Sequence, residues 1–514
     1  MNDVLILPFA LPLVAAALCV LWREHRAAQR GLTFTSLGVV IAIGIGLVRV
    51  TRDGAAIATD IGSWPGGLAI VYAVDGFAAL LLLTTASVAA IGLAFAIGRG
   101  EDRHPLFLAL VNVLLAGVFG SLLTADLFNL FVSYEVMLIA SYVLLTLRGG
   151  RRQTRAGAIY LAVNLLASTV FLLGTALLYG VVGTVGFGEL AGVGASDPRA
   201  AIGAGVVVVA VAVKAGIVPM HGWLPRAYVE CGPAVAALFS GLLTKVGVYT
   251  LFRLYSVVFA GAPDWRPMLL VAAGVSMVVG VIGAIGRGDV RGILAFHMVS
   301  QVGYLILPLG LWTTAAVTAG LVYLLQYLAV KAALFMAAGA VETLTGTGSL
   351  ARLGGMVHTR PMLAMAFLLP ALALAGVPPT SGFVGKFLLI LAAFDAGAYL
   401  LGAVAIIVSF FTLLSMIKIW NGVFWGEPTP EVTHEHTEGP VGLAVPTGTL
   451  RPSSPPTSPL VERRRAAELI APALTIGVAA VLVGLGAPAL IDLVGPAAEA
   501  LLAPDAYLEV VNAA

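Results

Sequence analysis

The chain has five lysines, Lys214, Lys245, Lys331, Lys386 and Lys418, and each falls inside an apolar run of membrane-spanning length, whereas the connectors use arginine. A general bias against lysine explains the connectors, yet the same bias would have removed these five. A lysine near a bilayer centre costs about 2.5–3.5 kcal/mol on insertion scales, so a row of them requires a wet or paired interior. It also requires a property that arginine lacks. That property is titration: desolvation lowers an amine's pKa and lets it release a proton near neutral pH, while a guanidinium stays charged. Such a row can relay protons. Snorkelling and static ion pairing are the competing readings, and snorkelling has most force for Lys418, near the end of the run LLSMIKIWNGVFW.

A counter-charge lies in LFNLFVSYEVMLIASYVLL, where Glu135 sits deep in its span. Pairing with Lys214 would lower the desolvation cost of both and hold the lysine protonated until the pair separates. A fixed structural pair is the alternative. Lys214 precedes Gly216 and Pro219, and Lys386 follows GVPPTSGF. Proline removes a backbone donor and frees carbonyls in the preceding turn, which at membrane depth must face protein or a wet cavity. Interrupted helices in corresponding halves of a chain point to a transport site. His297, in RGILAFHMVSQVGYLILPLG, and Lys331, in YLLQYLAVKAALFMAAG, lie between these two regions and would join them; a hydrogen-bonded core histidine is the other reading of His297. Ser300, Gln301, Tyr323 and Tyr327 suit either connecting water or helix packing.

The elements that must position these groups are helices. With 60% hydrophobic and 11% charged residues, the chain is an all-α polytopic membrane protein, and apolar windows predict about 14 spans. They cover 3–22, 31–50, 73–98, 105–124, 126–147, 156–182, 202–220, 232–259, 267–286, 290–311, 314–342, 361–396 with an interruption, 398–424 and 467–488. The first span has no basic residues before it and reads as retained rather than as a signal peptide. Arginines cluster after odd-numbered spans, at Arg23, Arg26 and Arg30, at Arg148, Arg151, Arg152 and Arg155, and in the run Arg463 to Arg465. By the positive-inside rule both termini face outward. Residues 1–104 hold the first three spans, 105–260 and 261–425 two related five-helix units, 426–466 a connector and 467–514 the last span and tail. The connector is rich in Pro, Ser, Thr and Glu and reads as a disordered cytoplasmic loop. Its His434 and His436 flank Glu435, but a flexible pair fixes no metal geometry, and a solvated linker is the better reading. Cys19 and Cys231 read as packing residues. The net charge of +2 gives no reason to expect nucleic-acid binding, and GAIGRG at 283–288 follows a membrane helix rather than a strand, so no cofactor loop is expected.

KAGIVPMHGWLPRAYVECGPAVAALFSGLLTKVGVYTLFRL, RGILAFHMVSQVGY, KAALFMAAG and LAGVPPTSGFVGKF together resemble the antiporter-like subunits shared by respiratory complex I and the Mrp multi-subunit cation/proton antiporters. The resemblance runs from the fourth to the thirteenth span. It implies 14 transmembrane helices, two inverted five-helix repeats and discontinuous helices at spans 7 and 12. It also implies a proton relay through Glu135, Lys214, Lys245, Lys331 and Lys386, gated by the Glu–Lys pair. Some members carry histidines where this chain has Tyr323 and Tyr327, so the centre would lean on His297. Lysine at 386 argues against the M-type complex I subunit, and the lack of a long lateral helix after span 14 argues against the L-type and the large A-type subunit of Mrp. The D-type of the Mrp branch fits best. The resemblance therefore implies a secondary transporter subunit of a bacterial inner membrane, not an enzyme, working with other Mrp subunits on protons and sodium. The alternatives are a proton-pumping subunit of a redox enzyme and, from another class, a scaffold with inert ion pairs.

Overall fold

The computed structural model describes residues 2–62, 70–427 and 459–514. The apolar runs form long helices because only a helix satisfies its own backbone hydrogen bonds in lipid. In chain order they are α1 (Leu7–Leu21), α2 (Arg26–Val50), α3 (Gly76–Arg99), α4 (Phe107–Leu123), α5 (Leu127–Thr146) and α6 (Arg151–Val182). A single turn, α7 (Val193–Ser196), leads to α8 (Pro198–Ala215), α9 (Trp223–Glu230), α10 (Pro233–Val257), α11 (Arg266–Ile285), α12 (Val290–Leu311) and α13 (Thr314–Thr345). Another turn, α14 (Met356–Thr359), precedes α15 (Pro361–Ala375), α16 (Ser381–Asp395), α17 (Tyr399–Trp420), α18 (Pro459–Leu485), α19 (Ala487–Leu502) and α20 (Asp505–Ala513). Among the described residues twelve helices are long and apolar enough to cross a membrane; α4 and α15 are shorter apolar helices.

Burial divides these helices into an inner and an outer set. The membrane window of α10 is entirely buried, and those of α12 and α13 nearly so, whereas only a third of the windows of α1, α2, α6 and α17 is buried. The inner helices carry the polar residues of interest, among them Lys245 on α10, His297 on α12 and Lys331 on α13, each at most 2% exposed.

Two helices are interrupted where the Gly and Pro residues predict it, and the breaks are built alike. Gly216 ends α8 with φ +77° and Gly376 ends α15 with φ +86°, a left-handed conformation that glycine adopts without steric penalty. In each case the N–H of the next residue reaches the carbonyl five residues back, Ile217 to Ala212 at 3.1 Å and Val377 to Leu372 at 3.0 Å, which is the Schellman closure of a helix. The halves of the second broken helix touch so closely that a Cβ on Gly382 would overlap the carbonyl oxygen of Ala373.

The structure extends the elements expected from sequence. The window at 202–220 stops short of α9, whose eight residues are amphipathic and lie beyond the break. The last span begins at Pro459, within the segment assigned to the connector, so Arg463 to Arg465 are helical; Glu, Arg and Ala in VERRRAAEL are strong helix formers, and proline is tolerated in a first turn. The connector from 428 to 458, with His434 and His436, lies outside the described residues. A two-stranded antiparallel sheet, β1 (Ile57–Ile61) and β2 (Ile70–Val74), caps one end of the bundle. Its Val71 carbonyl accepts the Ala125 N–H at 2.9 Å, and α20 packs against both strands.

Candidate functional site

Glu135 and Lys214 come together through a third residue. Glu135 projects from the middle of α5 and Lys214 from the last turn of α8, where the helix's C-terminal carbonyls favour a cation. The Ser168 hydroxyl on α6 donates to the Glu135 carboxylate, and the Lys214 ammonium donates to the Ser168 oxygen at 3.0 Å. Serine suits this position because one hydroxyl both accepts and donates. Glu135 is half-buried, and Lys214 is 4% exposed.

Tyr134 leads from this pair toward α10. The Lys214 ammonium lies 4.9 Å from its ring centre, and its hydroxyl bonds Thr250 Oγ1 at 2.8 Å. Five residues before Thr250, Lys245 donates to the Ser240 carbonyl and places its ammonium 4.3 Å from the centre of the Tyr327 ring. Aromatic faces attract desolvated cations.

From Lys245 the polar interior continues along facing stripes of two helices. On α13, Tyr323, Tyr327 and Lys331 are spaced i, i+4, i+8; on α12, His297, Gln301 and Tyr304 follow the same face. Tyr323 stacks on Tyr327 with centroids 5.9 Å apart and donates its hydroxyl to Gln301. Tyr304 stands 5.7 Å from Tyr323, and the Lys386 ammonium lies 4.7 Å from the Tyr304 ring centre. Lys386 also donates to the Ala375 carbonyl at 3.4 Å, one of the acceptors freed by the break before α16. The Lys331 ammonium and both His297 nitrogens are buried without a hydrogen-bond partner among the described residues. Buried polar atoms of this kind call for an explanation, and here they lie on two helices, α12 and α13, that pack against each other.

All six residues singled out from the sequence therefore line one interior. Lys418 does not. It is exposed and donates to the carbonyls of Ile285 and Arg287 at 2.9 and 2.6 Å, closing the C-terminal end of α11. Two features have no counterpart in the expectations from sequence. One is Ser168. The other is an ion pair between Arg253 on α10 and Asp75, the N-cap of α3, at 2.8 Å with each side chain 2% exposed. Arg253 falls eight residues after Lys245 on the same helical face, and that spacing is the signal that could have found it. Among the described residues no group of three or more His, Cys, Asp or Glu side chains forms a metal site.

The family described as NADH:quinone oxidoreductase/Mrp antiporter, transmembrane, matches residues 124–412, the stretch that carries every residue of the polar interior except Asp75. The chain belongs to this family. It is 39% identical over 445 residues to the D-type Na(+)/H(+) antiporter subunit of Alkalihalophilus pseudofirmus, covering 85% of this chain and 89% of that one. It is 33% identical to the D-type subunit of Bacillus subtilis over 99% of both chains. Among solved structures, a chain of the Mrp complex from Dietzia sp. DQ12-45-1b superposes with a TM-score of 0.91 at 40% identity over 99% of both chains. A chain of respiratory complex I from Thermus thermophilus superposes at 0.75 with 25% identity, over 97% of this chain and 99% of that one. As a member of this family the chain is a multi-pass membrane component, and the antiporter relatives match it more closely than does the complex I chain.

Proposed function

We propose that this chain is the proton-conducting subunit of a multi-subunit antiporter that exchanges protons moving inward for sodium, or another monovalent cation, moving outward. The observation that carries this reading is the series of buried amines Lys214, Lys245, Lys331 and Lys386, each facing an aromatic ring and none in a direct ion pair with a carboxylate among the described residues. Protons enter and leave these groups through hydroxyls and water. The Glu135–Ser168–Lys214 link acts as the gate: while the link is closed Lys214 stays protonated, and opening it releases the proton toward Lys245. His297 and Lys331 carry the proton to Lys386. The two similarly built breaks support two related units, 105–260 and 261–425, and the arginine distribution supports external termini. Other subunits of the same complex supply the remainder of the antiporter.

Everted vesicles from an antiporter-deficient host expressing the whole operon test the reading. Addition of sodium is expected to collapse a preformed pH gradient, with no effect in vesicles from the empty host. If no monovalent cation collapses the gradient in assembled complexes, the antiporter reading is wrong. The same assay examines the gate. Ser168→Ala removes a hydrogen bond to a charged group, worth about 1.5–3 kcal/mol, and is expected to slow antiport by about tenfold or more, with Ser168→Thr retaining most activity. Unchanged transport in Ser168→Ala would show that the bridge is not used.

A further inference from the structure

Away from the buried file, a basic pocket opens where α6, α9 and the turn after α11 meet. It encloses about 450 Å³ and is lined by Arg152, Arg155, Arg226 and Arg287 against the single carboxylate of Glu230, with Ile159 on its apolar side. The four arginines are exposed, and none forms an ion pair with another described residue. Arg287 is held in place at 5.1 Å over the Phe296 ring, and its carbonyl is the acceptor that draws in the Lys418 ammonium, a further cation at this edge. Four guanidinium groups against one carboxylate leave three positive charges that call for an anion. Basic pockets between membrane helices suit phosphate headgroups, and guanidinium groups bind phosphate oxygens in bidentate fashion.

The surface beside the pocket identifies which phosphate compound fits. Two and four turns beyond Ile159 on the same face of α6, Leu166 and Leu173 are exposed by 65% and 55%. A ligand with an anionic head and apolar chains matches both parts at once, whereas a free anion would leave the leucines uncovered.

Arg226 lies on α9, the short half of the first broken helix, and α9 is tied to the gate. Its Trp223 indole donates to the Val213 carbonyl at 2.9 Å, next to Lys214, and its far end is held by Gln153 Nε2 on the Glu230 carbonyl at 2.9 Å. We propose that the pocket binds the phosphate of an anionic phospholipid and so fixes α9, and through Trp223 the backbone beside Lys214. Binding of the lipid does not depend on the proton-transfer reading, because it is measured as bound lipid rather than as transport.

The test uses the whole complex reconstituted in nanodiscs of phosphatidylcholine with or without phosphatidylglycerol, with bound phosphatidylglycerol counted by native mass spectrometry. Wild type is expected to retain the anionic lipid. Arg155→Gln and Arg226→Gln should each weaken retention about fivefold, the effect of one arginine near a lipid surface, and the double variant more. Arg151→Gln, an exposed change outside the pocket, should leave retention unchanged. Equal retention in wild type and the double variant overturns the proposal. So does displacement of the lipid by inorganic phosphate at comparable concentration, because the site would then be one for a free anion.

Discussion

Lys245→Ala is expected to abolish sodium-induced collapse of the pH gradient in everted vesicles, lowering the rate by about a hundredfold or more, the scale of losing a positioned proton-transferring group. Lys245 lies on α10, five residues before the Thr250 that bonds Tyr134, and its ammonium faces the Tyr327 ring. Lys245→Arg is the decisive companion. If the amine served as a fixed charge, arginine would preserve the contact with the Tyr327 face and restore transport; if it passes protons, arginine fails because a guanidinium does not release one. The expected result is failure of both variants at wild-type assembly, measured by co-purification of the other subunits. Transport restored by arginine would recast Lys245 as a structural cation and break the file in two.

What can be read from the sequence follows from which residues are costly in a membrane. A lysine in an apolar run is a feature that its surroundings cannot explain, so Lys214, Lys245, Lys331 and Lys386 identify themselves, and the structure places them in one interior. The breaks are equally legible, because Gly216 with Pro219 and Gly376 with Pro379 leave a helix no regular continuation. Ser168 is not legible. Serine is inexpensive in a membrane helix, where its hydroxyl commonly bonds the preceding turn, and nothing local marks this one as the residue between a carboxylate and an ammonium 33 and 46 positions away. The strands of the capping sheet, five residues each, are too short to stand out between long apolar windows. Arg253 is obscured for another reason: arginine near a span is ordinarily a marker of membrane sidedness, and its partner Asp75 is 178 residues distant.

That pair carries the second large expectation. Arg253 donates to Asp75 Oδ1 at 2.8 Å, and the Tyr507 ring of α20 covers the guanidinium at 4.2 Å. The Ser256 hydroxyl, one turn further along α10, donates to the Leu501 carbonyl at 2.5 Å, so the C-terminal helices are anchored on this segment. Removing one member of a buried pair leaves an uncompensated charge and costs about 3–5 kcal/mol. Arg253→Leu and Asp75→Leu are each expected to lower the thermal stability of the purified complex sharply, by that order. Asp75→Leu should be the more damaging, since Asp75 also accepts the Ala78 N–H at 3.0 Å as the N-cap of α3, worth about 1 kcal/mol. The double variant Asp75→Leu with Arg253→Met discriminates between causes. Replacing both charges with apolar side chains removes the desolvation cost along with the attraction, so the double variant should recover most of the stability lost by Arg253→Leu, short of the lost cap and the Tyr507 contact. Thermal unfolding of the complex, followed by size-exclusion chromatography after heating, reads all three. A double variant as unstable as the worse single one would mean that the pair acts through directional hydrogen bonds at the junction of α3, α10 and α20, not through mutual neutralisation. Lys245 and Arg253 share one face of α10 two turns apart, and the contrast between them is chemical: the amine faces one aromatic ring and a backbone carbonyl with no carboxylate bonded to it, while the guanidinium is locked to a carboxylate and holds the end of the helix in place.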